Sequence, residues 1–92
     1  MKEIDLHACP SLATQARLQV DRSGKEVLLF PEGILELNET ARDIVARCDG
    51  KTSVESLIAA LAQEYDVAIA EMQSDVLEYL RELHQRRLLV VC

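Results

Sequence analysis

Apolar and polar residues change their spacing twice along the chain. In "RLQVD", Arg17 to Asp21, they alternate, with Leu18 and Val20 on one face, as in a half-buried strand. "DRSG" follows, and Gly24 suits a type I turn closed by a left-handed glycine. "KEVLLF" reads as a second strand, apolar on both faces from Val27 to Phe30, which fits a central position or one covered on both sides. In "FPEG", Pro31 presets φ for position i+1 of a turn and Gly33 suits position i+3. "ILEL" then resumes extended structure, with Leu35 and Leu37 on one face and Ile34 and Glu36 on the other. Together these segments predict an antiparallel meander.

After Asn38 the period lengthens to that of a helix. Asn38 is a good N-cap, and Ala41, Ile44, Val45 and Cys48 recur at i, i+3, i+4 and i+7. Asp49-Gly50 is expected to end that helix, with the glycine as a left-handed cap. Thr52 and Glu55 form T-x-x-E, the spacing of a capping box. Val54, Leu57, Ile58 and Leu61 repeat the helical face. A third helix is expected to start between Ile69 and Glu71, with the stripe Met72, Val76, Leu80 and Leu83, widened by Leu77 and Tyr79. The tail "LLVVC" is β-prone and is expected to add a short strand or to cover the core.

The fold class is therefore α+β: a three-stranded antiparallel sheet followed by three helices. Short helices joined by a glycine-bearing turn, beside a small sheet, are winged-helix-like. Residues 1–16, with Pro10 and no clear period, read as a partly ordered N-terminal arm. Residues 17–92 read as the domain proper.

The chain has 92 residues, 49% apolar and 28% charged, which suits one globular domain with a modest core. Acidic residues outnumber basic ones 16 to 10, for a net charge of -6. That argues against a phosphate backbone as partner, so no nucleic acid is expected. The basic group Arg81, Arg86 and Arg87 reads as cations complementing a helix C-terminus. Three widely spaced cysteines, Cys9, Cys48 and Cys92, form no CxxC pair and fit a reduced, cytoplasmic setting. No segment has the length and apolarity of a membrane span, so no membrane is expected.

Catalytic constellations are absent. His7 and Cys9 form H-x-C, but two ligands do not make a zinc site, and His84 and Cys92 would join them only through the tertiary fold. Cys48 lies on the apolar stripe of the first helix and reads as a core residue. Glu32, Glu36 and Glu39 occupy a turn, a strand and a helix start, where Glu39 complements the dipole. Gly24, Gly33 and Gly50 are isolated turn glycines, not a phosphate cradle. What remains is the apolar excess. A meander has two edges, and an edge beside a helix suits β-augmentation, in which a peptide adds as a further strand.

From "LLFPEG" onward the chain resembles the PqqD family of pyrroloquinoline quinone (PQQ) biosynthesis. The pieces are Leu28 to Gly33, Leu35 to Asn38 with Ala41, Asp49-Gly50, Ser53-Val54 through Ile58, and Asp75-Val76 with Leu80 and Leu83. Each is weak alone; their order and spacing are specific. The match runs from about Arg17 to Leu89. It departs at Phe30, where tyrosine is common, at Thr52-Ser53, and at "AIAEMQS", which matches nothing definite. Met1 to Ala16 lie outside it.

The resemblance implies a non-enzymatic peptide chaperone without cofactor. It would be a recognition element for ribosomally synthesized and post-translationally modified peptides (RiPPs). Such a domain binds the precursor peptide PqqA by strand addition and presents it to PqqE, a radical S-adenosylmethionine (SAM) enzyme. Carried over, the added strand would lie along Ile34, Leu35, Glu36 and Leu37, and the groove wall would come from Asp75, Val76, Tyr79, Leu80 and Leu83. Monomer and homodimer are both compatible with an open edge. The competing reading is a winged-helix transcriptional regulator, which needs a basic recognition helix. "VESLIAALAQEY" contains no Lys or Arg.

Overall fold

The computed structural model describes residues 4–91. In chain order it contains β1 (Pro10–Leu12), β2 (Arg17–Val20), β3 (Glu26–Phe30), β4 (Gly33–Glu36), α1 (Glu39–Ala46), α2 (Val54–Tyr65), α3 (Ile69–Gln85) and β5 (Leu89–Val91). The expected meander is present, as an antiparallel sheet of order β2-β3-β4. Strand β3, apolar on both faces, is central. The three helices follow.

The two hairpins set the register. The Asp21 N–H donates to the Lys25 carbonyl at 2.8 Å and Gly24 N–H donates to Asp21 at 3.1 Å, with Gly24 at φ +88. The Asp21 carboxylate accepts from the Ser23 and Lys25 amides, which stiffens the turn. Pro31-Glu32 makes the two-residue loop between Phe30 and Gly33. Leu18, Leu28 and Leu35 are cross-strand neighbours, so they share a face. Leu28 and Leu37 enter the core, with Leu35 and Phe30 packed against it. On the other face Val27 is buried between its register neighbours Gln19 and Glu36.

Helix α1 begins as expected: Asn38 Oδ1 accepts the Ala41 amide at 2.8 Å. It stops at Ala46 rather than at the glycine. Arg47 is the C-cap at φ -95, its N–H donating to the Ile44 carbonyl at 3.1 Å, and the Cys48 N–H donates to Val45 at 3.1 Å. Cys48 lies just past the helix, still buried, with its thiol directed to the Ile44 carbonyl. The left-handed residue comes later, at Gly50, with φ +78. A Cβ there would lie 3.4 Å from Ser11 Cβ, and the Gly50 N–H donates to Pro10 at 2.9 Å. Gly50 thus lets the turn lie against β1 instead of capping α1.

The N-cap of α2 is Ser53, whose Oγ accepts the Ser56 amide at 3.1 Å, and not Thr52. Thr52 belongs to the preceding turn, where the Asp49 carboxylate accepts the Lys51 and Thr52 amides, both at 2.8 Å. The next two helical amides, Val54 and Glu55, donate to the carbonyls of Ala8 and Leu6, both at 2.9 Å. The chain before β2 therefore completes the start of α2.

Sequence periodicity indicated no strand before Arg17, yet Pro10–Leu12 form β1. It pairs antiparallel with β5 in the register Pro10↔Val91, Ser11↔Val90, Leu12↔Leu89. Ala8, Pro10, Ala13 and Ala16 are buried. β5 is the strand expected of the apolar tail. Cys92 lies outside the described residues.

The core is continuous between sheet and helices. Leu28, Ile44, Leu57, Leu61, Leu80 and Leu83 are among its fully buried side chains. The hydroxyl of Tyr65 donates to the Asp43 carboxylate, and Arg47 pairs with Glu64, so two polar contacts join α1 to the end of α2. Arg42 joins α1 to the sheet through Glu26 at 2.6 Å.

Candidate peptide-binding edge

Residue phase within β4 decides what its open edge offers. The Leu37 N–H donates to the Glu26 carbonyl at 3.0 Å, which marks that register pair as hydrogen-bonded. Bonded and non-bonded pairs alternate in an antiparallel ladder. Leu28↔Leu35 and Phe30↔Gly33 are then bonded pairs, and Val27↔Glu36 and Leu29↔Ile34 are not. The N–H and C=O of Ile34 and Glu36 consequently point away from β3, toward the edge. The Ile34 side chain is 64% exposed, and Glu36 is exposed in a 3.3 Å ion pair with Lys25. Leu35 is half-buried and Leu37 buried, both on the core face.

Just past this edge, at the start of α1, lies a cavity of about 260 Å³ lined by Asn38, Thr40, Ala41, Ile44, Asp75 and Tyr79. It adjoins a cleft of about 490 Å³ along α3, lined by Asp75, Glu78, Tyr79, Arg81, Glu82 and Gln85. Asp75 and Tyr79 belong to both. Asp75, Glu78 and Glu82 follow at i, i+3 and i+7, so one helical face carries three carboxylates. Tyr79 is half-buried. Its hydroxyl is enclosed and has no hydrogen-bond partner among the described residues. Burial first, then the nearby Glu82 carboxylate, pushes its pKa up to about 12. The phenol is therefore neutral at physiological pH.

The expected groove residues divide into two sets. Ile34, Glu36, Asp75 and Tyr79 reach the edge, cavity or cleft. Val76, Leu80 and Leu83 are each 0% exposed and sit in the core. They support α3 from beneath and present no surface to an incoming chain. Glu78 and Glu82, which line the cleft with Asp75, were not among the expected wall residues. Their signal was the same helical spacing, carried by acidic residues one step around α3.

The other candidate chemistry disperses. His7 is exposed, with Nδ1 3.6 Å from the Glu55 carboxylate. Cys48 is buried, and burial followed by the Asp49 charge pushes its thiol up to about 12. Glu39 sits in the first turn of α1, and Glu32 is exposed in the turn before β4. Among the described residues no group of three or more His, Cys, Asp or Glu is placed to hold a metal ion. Among them, too, no helix is long and apolar enough to cross a membrane.

Comparison with known proteins agrees with this layout. The family model for coenzyme PQQ synthesis protein D (PqqD) matches residues 26–89. A PqqA binding protein of Xanthomonas campestris pv. campestris (strain B100) is 40% identical over 90 residues, 97% of this chain and 98% of that protein. One from Xanthomonas euvesicatoria pv. vesicatoria (strain 85-10) is 41% identical over 90 residues, with the same coverage of each chain. Among solved structures, the PqqD truncation of Methylobacterium extorquens PqqCD superimposes with a TM-score of 0.75 at 34% identity, over 88% of this chain and 87% of that one. That solution NMR structure represents a functional, stand-alone RiPP recognition element. The crystal structure of PqqD from Xanthomonas campestris gives a TM-score of 0.59 at 40% identity, over 92% and 96%. By the family match, and by relatives of this identity aligned over nearly their whole length, the chain belongs to the PqqD family.

Proposed function

We propose that this protein binds the precursor peptide PqqA in PQQ biosynthesis and presents it to the radical SAM enzyme PqqE, without catalysing a step itself. The observation that carries the reading is the phase of β4: Ile34 and Glu36 direct their main-chain donors and acceptors outward, on a strand that runs into Asn38 at the mouth of a cavity shared with Asp75 and Tyr79 of α3. A peptide strand would satisfy those groups and seat alternate side chains toward α3. Relatives described as PqqA binding proteins, and a related RiPP recognition element, support the same occupant. The wall would comprise Asp75 and Tyr79 with Glu78 and Glu82, over the buried Val76, Leu80 and Leu83. Leu35 and Leu37 would hold the edge in place from the core side.

The test is a titration of isotope-labelled protein with PqqA. The largest amide shifts are expected at Ile34 to Leu37 and at Asp75 to Glu82. Shifts confined to α2, or to the segment before β2, would overturn the site. Delivery is read separately: modification of PqqA by PqqE should depend on this protein and be lost when the β4 edge is blocked.

A further inference from the structure

After α3 the chain folds back along the segment ahead of β2, and a cleft of about 570 Å³ lies at this β1–β5 seam. Ser11, Thr14, Gln15, His84, Arg87 and Val90 are among the residues that line it. No carboxylate does, although acidic residues outnumber basic ones 16 to 10 in the chain. The cleft along α3 is the opposite, with Asp75, Glu78 and Glu82. Arg87 supplies the charge of the seam. It is exposed and makes no ion pair among the described residues, whereas its neighbour Arg86 pairs with Glu82. Its backbone sits at φ +62, where an L side chain is strained and glycine is the usual occupant after a helix. Gln15 Nε2 donates to its carbonyl at 3.3 Å, and the Leu88 N–H donates to Leu83 at 2.9 Å, so the residue is held there from both sides. His84 and the hydroxyls of Ser11 and Thr14 add hydrogen-bonding groups, and Val90, 49% exposed, adds an apolar contact.

We propose that this cleft docks an acidic segment of the enzyme that receives the peptide, with Arg87 gripping a carboxylate through its planar fork. The inference rests on the delivery reading above: a domain that presents a peptide without modifying it needs a second surface, for the enzyme. Charge sorts the two guests. An acidic segment is repelled from Asp75, Glu78 and Glu82 and attracted to the seam, which disfavours the wrong arrangement. Position lets both bind at once. His84 follows Asp75 by nine positions, which is about 14 Å along α3 and about 180° around it. A chain docked on the seam therefore leaves the β4 edge and its cavity uncovered. An arginine where the backbone favours glycine fits the same assignment, since its side chain is kept despite local strain.

The test measures PqqE affinity of the intact protein by calorimetry, beside its PqqA affinity. PqqE binding should weaken as salt is raised. R87E should weaken it roughly tenfold or more, about the worth of one charge-assisted pair, and leave PqqA affinity unchanged. R22E makes the same change of charge at the exposed β2–β3 turn and should stay near wild type. R87G should also lose PqqE affinity while its urea midpoint holds or rises, because glycine relieves the left-handed backbone. R87G with full PqqE affinity would reduce Arg87 to a part of the fold and overturn its role. In labelled protein, PqqE should shift the amides of Ser11 to Gln15 and His84 to Val90, apart from those moved by PqqA. Equal PqqE affinity in R87E and R22E, or PqqE shifts confined to β4 and the α3 cleft, would overturn this surface and leave the delivery reading standing. A wild-type protein that binds PqqA but not PqqE would end the delivery reading and this inference with it.

Discussion

The Leu37 N–H donates to the Glu26 carbonyl one register pair beyond the β3–β4 ladder, and that bond separates the residues of β4 that hold the sheet from those that face outward. Leu35 directs its main-chain groups to Leu28. Ile34 and Glu36 direct theirs to the edge.

Proline substitutions should report this difference. I34P removes only an outward donor, as proline on an edge strand commonly does. It should weaken PqqA binding roughly tenfold, about the worth of one or two main-chain bonds, with an unchanged urea midpoint. L35P removes a ladder donor and should cost about 1–3 kcal/mol of stability. Calorimetric titration and urea unfolding of both variants make the comparison. Equal loss of stability in the two would mean the phase of β4 is misassigned.

The two stripes of α3 should separate in the same way. L80A truncates a fully buried leucine and should cost about 2–5 kcal/mol. D75A and E78A alter exposed positions lining the cleft and should stay within about 0.5 kcal/mol of wild-type stability. Their effect should fall on peptide affinity. If neither changes affinity while L80A does so without loss of stability, the peptide lies elsewhere.

Acid stability should depend on Asp43. Its carboxyl is held below the ordinary 3.8, chiefly by the Tyr65 hydroxyl and further by Arg42. A carboxyl depressed on folding stabilises the native state above its unfolded pKa, and the contribution is lost as pH falls through the folded value. Unfolding free energy should therefore drop below about pH 4. Y65F should flatten that acid limb. Urea midpoints between neutral and strongly acid pH check this, and an unaltered limb in Y65F would remove Tyr65 as the cause.

Cysteine reactivity should be ordered by burial. With its thiol pushed up to about 12 and its side chain enclosed, Cys48 should resist alkylation in the native state. The half-buried Cys9 should react first, and urea should remove the difference. Mass-resolved labelling reads both sites.

Much of this fold was legible because it is local. The helical stripes Ala41-Ile44-Val45-Cys48, Val54-Leu57-Ile58-Leu61 and Met72-Val76-Leu80-Leu83 are all buried, and Asn38 caps where its position predicts. The α2 cap moved from Thr52 to Ser53 because Asp49 takes the Thr52 amide, while the carbonyls of Leu6 and Ala8 take the next two amides past Ser53. Nothing in the sequence around α2 encodes the Leu6 and Ala8 partners. Strand β1 was hidden for the same reason, its partner being near the other end of the chain. At the candidate site, the edge was legible from alternation in "ILEL". The wall was legible only in part, since apolar spacing on α3 leads to the core and the carboxylates define the cleft.

The pairing of residues 10–12 with 89–91 gives the protein an order of assembly. Closing so long a loop is slow compared with winding helices or zipping adjacent hairpins. The meander and the helices can form as they are synthesised, whereas β1 must wait for β5. The segment ahead of β1 also caps α2, and β1 bonds the α1–α2 turn through Pro10 and Leu12, so this part of the chain joins the middle of the sequence to its far end. The last pairing thus closes a seam between the two ends of the chain, in a different sheet from β4.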